Sequence, residues 1–348
     1  MVDLKKQQQA SIFDYFRHIE LIPLETNNNV VVGSVGKIIF HQNRYYVFDE
    51  HHAQEAVHIF DESGKFIFTI NKRGKGPGEY TELTDVIINP FTGNLNLLNP
   101  WGFVIIYDLQ GNYVKTSHKV TNAELPVVHK LIALNDKIFV FYSGYRNPKI
   151  IYYDMEEMKI LHQEYEENPA LHVFWGKTFY EYRGQWYFYR LFDNAIYELS
   201  SNSMVKSYTL DFGKHNYNVN KMGNLFQIKD PRNDPKKFTS QFSYILSEIG
   251  QNNRYVMAQI RLPKEDRLVN IMYDKSVQQC KLVGQFDESV GFNPIVVTNE
   301  FVLSHCYHGE LYQYVNEEML DELNRKKLED IMKIKEELNP VVIKYYFN

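Results

Sequence analysis

The chain has 348 residues, 44% of them hydrophobic and 15% aromatic, and a net charge of −5. The length fits one large repeat domain or two ordinary ones, and a modest charge without a basic block excludes sequence-independent binding to nucleic acid. The aromatics are 26 tyrosines and 23 phenylalanines against 3 tryptophans, a choice that suits pleated, half-buried surfaces and predicts a β-rich protein.

Residues 1–15 read as a flexible polar leader without the apolar core of a signal peptide. Ile19-Glu20-Leu21-Ile22-Pro23-Leu24-Glu25 reads as a strand whose proline suits an edge. A first four-strand unit follows over 33–72, with strands near 35–40, 45–49, 56–61 and 66–70. Arg73-Gly74-Lys75-Gly76-Pro77-Gly78-Glu79-Tyr80 then interrupts strand formation with three glycines and a proline. The same pattern resumes over 82–120, and Ile59-Phe60-Asp61-x-x-Gly64-Lys65-Phe66 aligns with Ile106-Tyr107-Asp108-x-x-Gly111-Asn112-Tyr113 at an offset of 47 residues. A period near 40–50 residues with four strands per unit predicts a propeller.

Third and fourth units occupy 131–165 and 179–210. A polar segment, 212–237, precedes a fifth at 238–286. A sixth has strands at 294–298, 300–305 and 311–315. Residues 317–338 carry Leu320, Leu323, Ile331, Ile334 and Leu338 on a helical stripe and read as an amphipathic helix packed on the propeller side, which Pro340 ends. The last strand, 341–347, the N-terminal strand or both complete the sixth unit and close the ring. The expected fold is therefore an all-β, six-bladed β-propeller over 16–348, closed by terminal strands, with one helix near the C-terminus.

Phe60-Asp61-x-x-Gly64-Lys65-Phe66, followed by Gly74-x-Gly76-Pro77-Gly78-Glu79-Tyr80, resembles NHL-repeat propellers. Together with Leu24-Glu25-Thr26 and Asn339-Pro340-Val341-Val342-Ile343, it more closely resembles the Bacteroides-type six-bladed β-propeller proteins. The resemblance implies an extracytoplasmic location, at the periplasm or cell surface, with a lipid anchor in the precursor. The chain departs from the lipoprotein pattern in having no N-terminal lipobox cysteine. Members of that group largely lack an assigned activity.

The residues exclude several chemistries. The 73–80 loop leads into a strand, so it is neither a phosphate loop nor a dinucleotide fingerprint; it reads as a linker between blades in which Glu79 caps amides and Tyr80 packs. No nucleophile elbow occurs. His51 and His52 are adjacent, and His305, Cys306 and His308 do not have hydrolase spacing, so neither a metal nor another cofactor is expected. Two cysteines, Cys280 and Cys306, cannot build a disulfide framework and read as buried free thiols.

Binding candidates are Arg73 and Glu79 in the linker, Arg146 in a later connection, and an aromatic and charged cluster of Trp175, Tyr182, Arg183, Arg190 and Asp193. In that cluster Trp and Tyr faces would take sugar rings or apolar groups and Arg would clamp carboxylates; packing between blades is the other reading of the same residues. The segment 212–237, with Tyr217, Arg232, Lys236 and Lys237, reads as a surface loop or a cover over the channel mouth. The leading functional expectation is a non-catalytic binding or scaffolding propeller that takes a glycan, peptide or protein partner at the channel face. The alternative is an extracytoplasmic hydrolase or lyase acting on a carbohydrate or related substrate through acidic, His or Arg residues lining the channel. No residue is assigned a catalytic role.

Overall fold

The structure is a computed structural model that describes residues 2–51, 55–122, 127–144, 149–164, 178–190, 193–216, 242–264, 267–334 and 336–348. A strand, β1 (Gln7–Ala10), and a second, β2 (Phe16–Pro23), precede the first blade, which is β3 (Val35–His41), β4 (Arg44–Asp49), β5 (Ala56–Asp61) and β6 (Phe66–Ile70). Blade two is β7 (Asp85–Ile88), β8 (Leu95–Leu98), β9 (Val104–Tyr107) and β10 (Tyr113–Thr116). Blade three is β11 (Lys130–Ala133), β12 (Ile138–Ser143), β13 (Lys149–Asp154) and β14 (Lys159–Glu164). Blade four is β15 (Phe179–Tyr182), β16 (Gln185–Arg190), β17 (Asp193–Leu199) and β18 (Met204–Thr209). Blade five is β19 (Tyr244–Gln251), β20 (Tyr255–Arg261), β21 (Leu268–Asp274) and β22 (Gln279–Phe286). Blade six is β23 (Val296–Val297), β24 (Phe301–Cys306), β25 (Val341–Phe347) and, outermost, β2. Each blade is an antiparallel meander, so both termini close the ring: β25 pairs with β24 on one side and β2 on the other.

The core is a set of layers between neighbouring blades. Along β9, Ile105 and Tyr107 join the layer shared with blade one, while Val104 and Ile106 join the layer shared with blade three. Both faces of a blade's second and third strands are thus buried, which is why these strands read as unbroken apolar runs, whereas the outermost strands β10, β14 and β18 are largely exposed. The repeated turn has the same geometry in blades one and two. Asp61 Oδ1 accepts the N–H groups of Ser63 and Lys65 at 2.9 and 3.0 Å, and Asp108 Oδ1 accepts those of Gln110 and Asn112 at 2.9 and 2.8 Å. Gly64 and Gly111 both sit at φ +87°, where a Cβ would stand 2.4 Å from the Pro23 carbonyl and 2.6 Å from the Phe68 ring. Glycine is required there twice over, by the left-handed backbone and by contact with the preceding blade.

Four expectations need correction. Residues 311–315 are not a strand: His308–Gln313 is a 3₁₀ turn, and Leu311 and Val315, four apart, are both buried. The helix, α1 (Glu322–Lys333), is shorter than 317–338, because Asn316 caps a separate turn at Glu317–Met319 and Asp321 starts α1. Its inner face is Asn324, Leu328 and Ile331, whereas Leu323 is 65% exposed. Residues 7–10 are strand β1, parallel to β22, where a leader was expected. Of the two free thiols only Cys306 is buried; Cys280 is exposed.

Candidate functional site

Because every blade is a meander whose first strand lines the axis, the blade-to-blade linkers and the turns between second and third strands share one face, the upper. The turns between first and second and between third and fourth strands share the lower. The inner strands β3, β7, β11, β15, β19 and β23 all contribute to a central channel of about 380 Å³. At its upper end the Lys37 ammonium lies 2.8 Å from Asp85 Oδ1, and Asp85 Oδ2 accepts the Leu131 N–H at 3.1 Å. Asp85 is buried and so ties the inner strands of three consecutive blades. Lys130 lines the same end, and His41 and Glu181 line the lower end. Next to Lys130, burial first and the lysine's charge second push His129 down to about 4.

The upper rim of blade one is built on Asp49, which accepts N–H groups from Gly33 (2.7 Å), Ser34 (2.9 Å) and His51 (3.0 Å). Burial pushes the Asp49 carboxyl up, but the His58 ring and those amides outweigh it and hold it below the usual carboxylate range. His58 Nε2 lies 3.6 Å from Asp49 Oδ2 and His58 Nδ1 lies 2.8 Å from Thr69 Oγ1. This acid–His–hydroxyl series runs across β4, β5 and β6 inside a blade, with His58 only 6% exposed, and ties strands together away from the channel.

The structure separates the predicted site residues. Arg73 and Glu79 lie on the upper face within their own loop: Arg73 Nη2 donates to the Thr81 carbonyl at 3.1 Å and Glu79 Oε2 accepts the Gly76 N–H at 2.7 Å. Tyr80 packs between blades one and two and donates to the Glu55 carbonyl at 2.9 Å. Arg190 and Asp193 are also at the upper end, but the guanidinium is buried and sits 3.3 Å from Asp193 Oδ2, which Tyr197 also reaches at 3.0 Å. Tyr182 and Arg183 are on the lower face, where both meet Asn253 of blade five at 3.3 and 2.9 Å. Arg146, Trp175 and the 217–237 part of the polar segment lie outside the described residues, as does His52. Among the described residues no group of three His, Cys, Asp or Glu side chains is spaced to hold a metal ion.

One upper-face residue was not singled out from sequence. Trp101 is 46% exposed on the turn between β8 and β9. The turn is stiff: Gly102 sits at φ +82°, its N–H meets the Asn99 carbonyl at 3.0 Å, and its own carbonyl accepts the Val120 N–H at 3.0 Å. The neighbouring Pro100 carbonyl accepts the Val128 N–H at 3.0 Å. The signal was present, a tryptophan inside Asn99-Pro100-Trp101-Gly102, where turn chemistry gives an indole no layer to join.

Six blades around a channel with charged groups at its upper mouth define a six-bladed β-propeller. The chain belongs to the DUF4934 family, a domain of unknown function, whose profile matches residues 2–346. The chain is similar to BF0058 of Bacteroides fragilis NCTC 9343, named as an exported protein, whose crystal structure matches at 15% identity and a TM-score of 0.73 over 99% of this chain and 98% of that one. A weaker match is the WD40 domain of Neurospora crassa Pan2, at 8% identity and a TM-score of 0.47 over 87% and 83% of the two chains. No curated protein matches the sequence. No helix among the described residues is long and apolar enough to cross a membrane.

Proposed function

We propose that the protein is a non-catalytic binding module that takes a glycan, peptide or protein partner on its upper face, over the channel mouth. The observation that carries this reading is Trp101, a half-exposed indole fixed on a stiff turn. Such a ring offers a large stacking surface at little cost in conformational entropy, and tryptophan is enriched among binding hot spots. Lys130 at the mouth supplies a cation for acidic groups on the same ligand. The hydrolase or lyase alternative draws on the same channel, but there Asp85 is engaged by Lys37 and the Leu131 amide, while Glu181 belongs to the opposite end. We also propose a location outside the cytoplasm, by analogy with the similar Bacteroides fragilis propeller that is named as exported.

A glycan and peptide array probed with the whole chain and with Trp101→Ala tests the reading. Loss of the best ligand by about tenfold or more is expected, the usual scale for truncating a hot-spot aromatic. Unchanged binding by the variant, or conversion of the bound ligand to product, overturns it.

A further inference from the structure

Blades four and five part on their outer side, leaving a cleft of about 790 Å³ between β18 and β21–β22. That volume lies within the range of small-molecule pockets, roughly 300–1,000 Å³. The N-terminal segment crosses it: Val2 donates its N–H to the Asp211 carbonyl of blade four at 2.7 Å, and β1 then pairs along β22. Leu210, Val256, Ile271 and Leu282 give the cleft apolar walls, and its charged lining is Lys6, Lys275 and Lys281 against Asp3, which Lys6 faces at 3.9 Å, and Asp211, which accepts from Asn216.

Its polar end is organised by a chain of hydrogen bonds. Lys275 Nζ donates to Gln251 Oε1 at 2.9 Å and to the Asn252 carbonyl at 2.6 Å. The buried Gln251 passes its Nε2–H to the Tyr180 hydroxyl at 3.3 Å, and the Tyr180 and Tyr208 hydroxyls meet at 2.8 Å. Both Lys275 and Gln251 line the cleft. The ammonium also stands 4.1 Å over the Tyr182 ring. Among the described residues no carboxylate lies within 4 Å of Lys275; Asp274 beside it is taken by Arg254 at 3.0 Å. An ammonium has three donors, and two of these are used.

We propose that the cleft binds a small amphipathic anion, its apolar body between Leu210, Val256, Ile271 and Leu282 and its carboxylate on the Lys275 ammonium. The site is separate from the upper face and does not rest on the reading given above. Three features favour an acid over a neutral ligand. The cationic end has no carboxylate partner of its own, and Arg183 adds a second positive charge nearby. Burial, and after it the Arg183 charge, push Lys275 down to about 8, so an anion would be the group that relieves it.

Cys280 lines the cleft and its residue is exposed, although burial around the sulfur pushes its thiol up as well; Cys306 is buried and its thiol is pushed up to about 12. The chain has 2 cysteines, so a neutral thiol reagent reports on the cleft. The experiment measures N-ethylmaleimide labelling of the whole chain near neutral pH, with and without decanoate or decanol, alongside calorimetric titration of both. Decanoate should protect Cys280 and bind about tenfold more tightly than decanol, the worth of one charge-assisted hydrogen bond. Lys275→Met should remove most of that preference while leaving decanol binding in place, whereas Lys281→Met should leave it largely intact. In the unmodified chain the preference should fade as pH rises past about 8, where the ammonium loses its proton. The proposal is overturned if decanoate gives no protection, if the two probes bind alike, or if the preference survives in alkali.

Discussion

Three glycines in one loop are not equivalent, and the difference can be measured. Gly78 sits at φ +77°, a Cβ there would lie 2.8 Å from the Tyr113 ring, and its carbonyl accepts the Tyr107 hydroxyl of blade two. An alanine adopts this backbone only at about 1–2 kcal/mol and must also displace the ring. Gly74 has no such backbone demand; its absent Cβ leaves room for the Glu79 carboxylate, whose Oε2 would otherwise be 2.0 Å away. That carboxylate ends a flexible, exposed side chain and can move, losing the Gly76 amide bond at a cost of under about 1 kcal/mol. Gly78→Ala should therefore lower the urea midpoint clearly more than Gly74→Ala, and the reverse order would refute this account of the loop. The linker role was legible because glycine and proline act locally, within a few residues. The convergence of Tyr182 and Arg183 on blade five was not legible, because Asn253 lies some seventy residues on in sequence and only the ring brings the pair together.

Elements that run alone were easier to read than elements that replace one another. Blades one and two were legible strand by strand, since apolar runs mark the strands and the Asp-x-x-Gly turn marks the end of each third strand. Blade six was misread at 311–315 because its third strand is β25, supplied from the far side of α1. The role of α1 was also hidden, because it uses polar side chains. Asn324, 2% exposed, accepts the Leu21 N–H at 2.9 Å through Oδ1, and Lys327 Nζ donates to the Leu21 carbonyl at 2.9 Å. The helix thus occupies the free edge of β2, where an unpaired ladder would invite association, as β1 does for β22. Asn324→Leu keeps the volume near constant and improves helix propensity, yet it leaves a buried N–H without a partner. We expect a loss of about 1–3 kcal/mol in global stability with unchanged helix content by circular dichroism. A neutral or stabilising outcome would mean that α1 is held by its apolar contacts alone.

At the scale of the whole molecule, stability depends on whether the ring is closed, and the two chain ends contribute unequally to closure. β25 is an interior strand of blade six, with Val341, Ile343 and Tyr345 buried in the layer toward blade five and Val342 in the layer toward blade one. Removing it separates β24 from β2 and opens two adjacent layers at once, exposing two long unpaired edges. β1 is by contrast an added fifth strand on an already complete blade. Deleting 1–10 should therefore lower the thermal midpoint yet preserve a single cooperative transition and the elution volume of the whole chain. Deleting 341–348 should abolish the transition and drive the chain into aggregates, although it removes fewer residues. Thermal melts by circular dichroism with size-exclusion chromatography distinguish the two. A non-aggregated chain that still unfolds cooperatively without β25 would show that five blades fold without closure, and the core would then have to be understood as independent interblade layers.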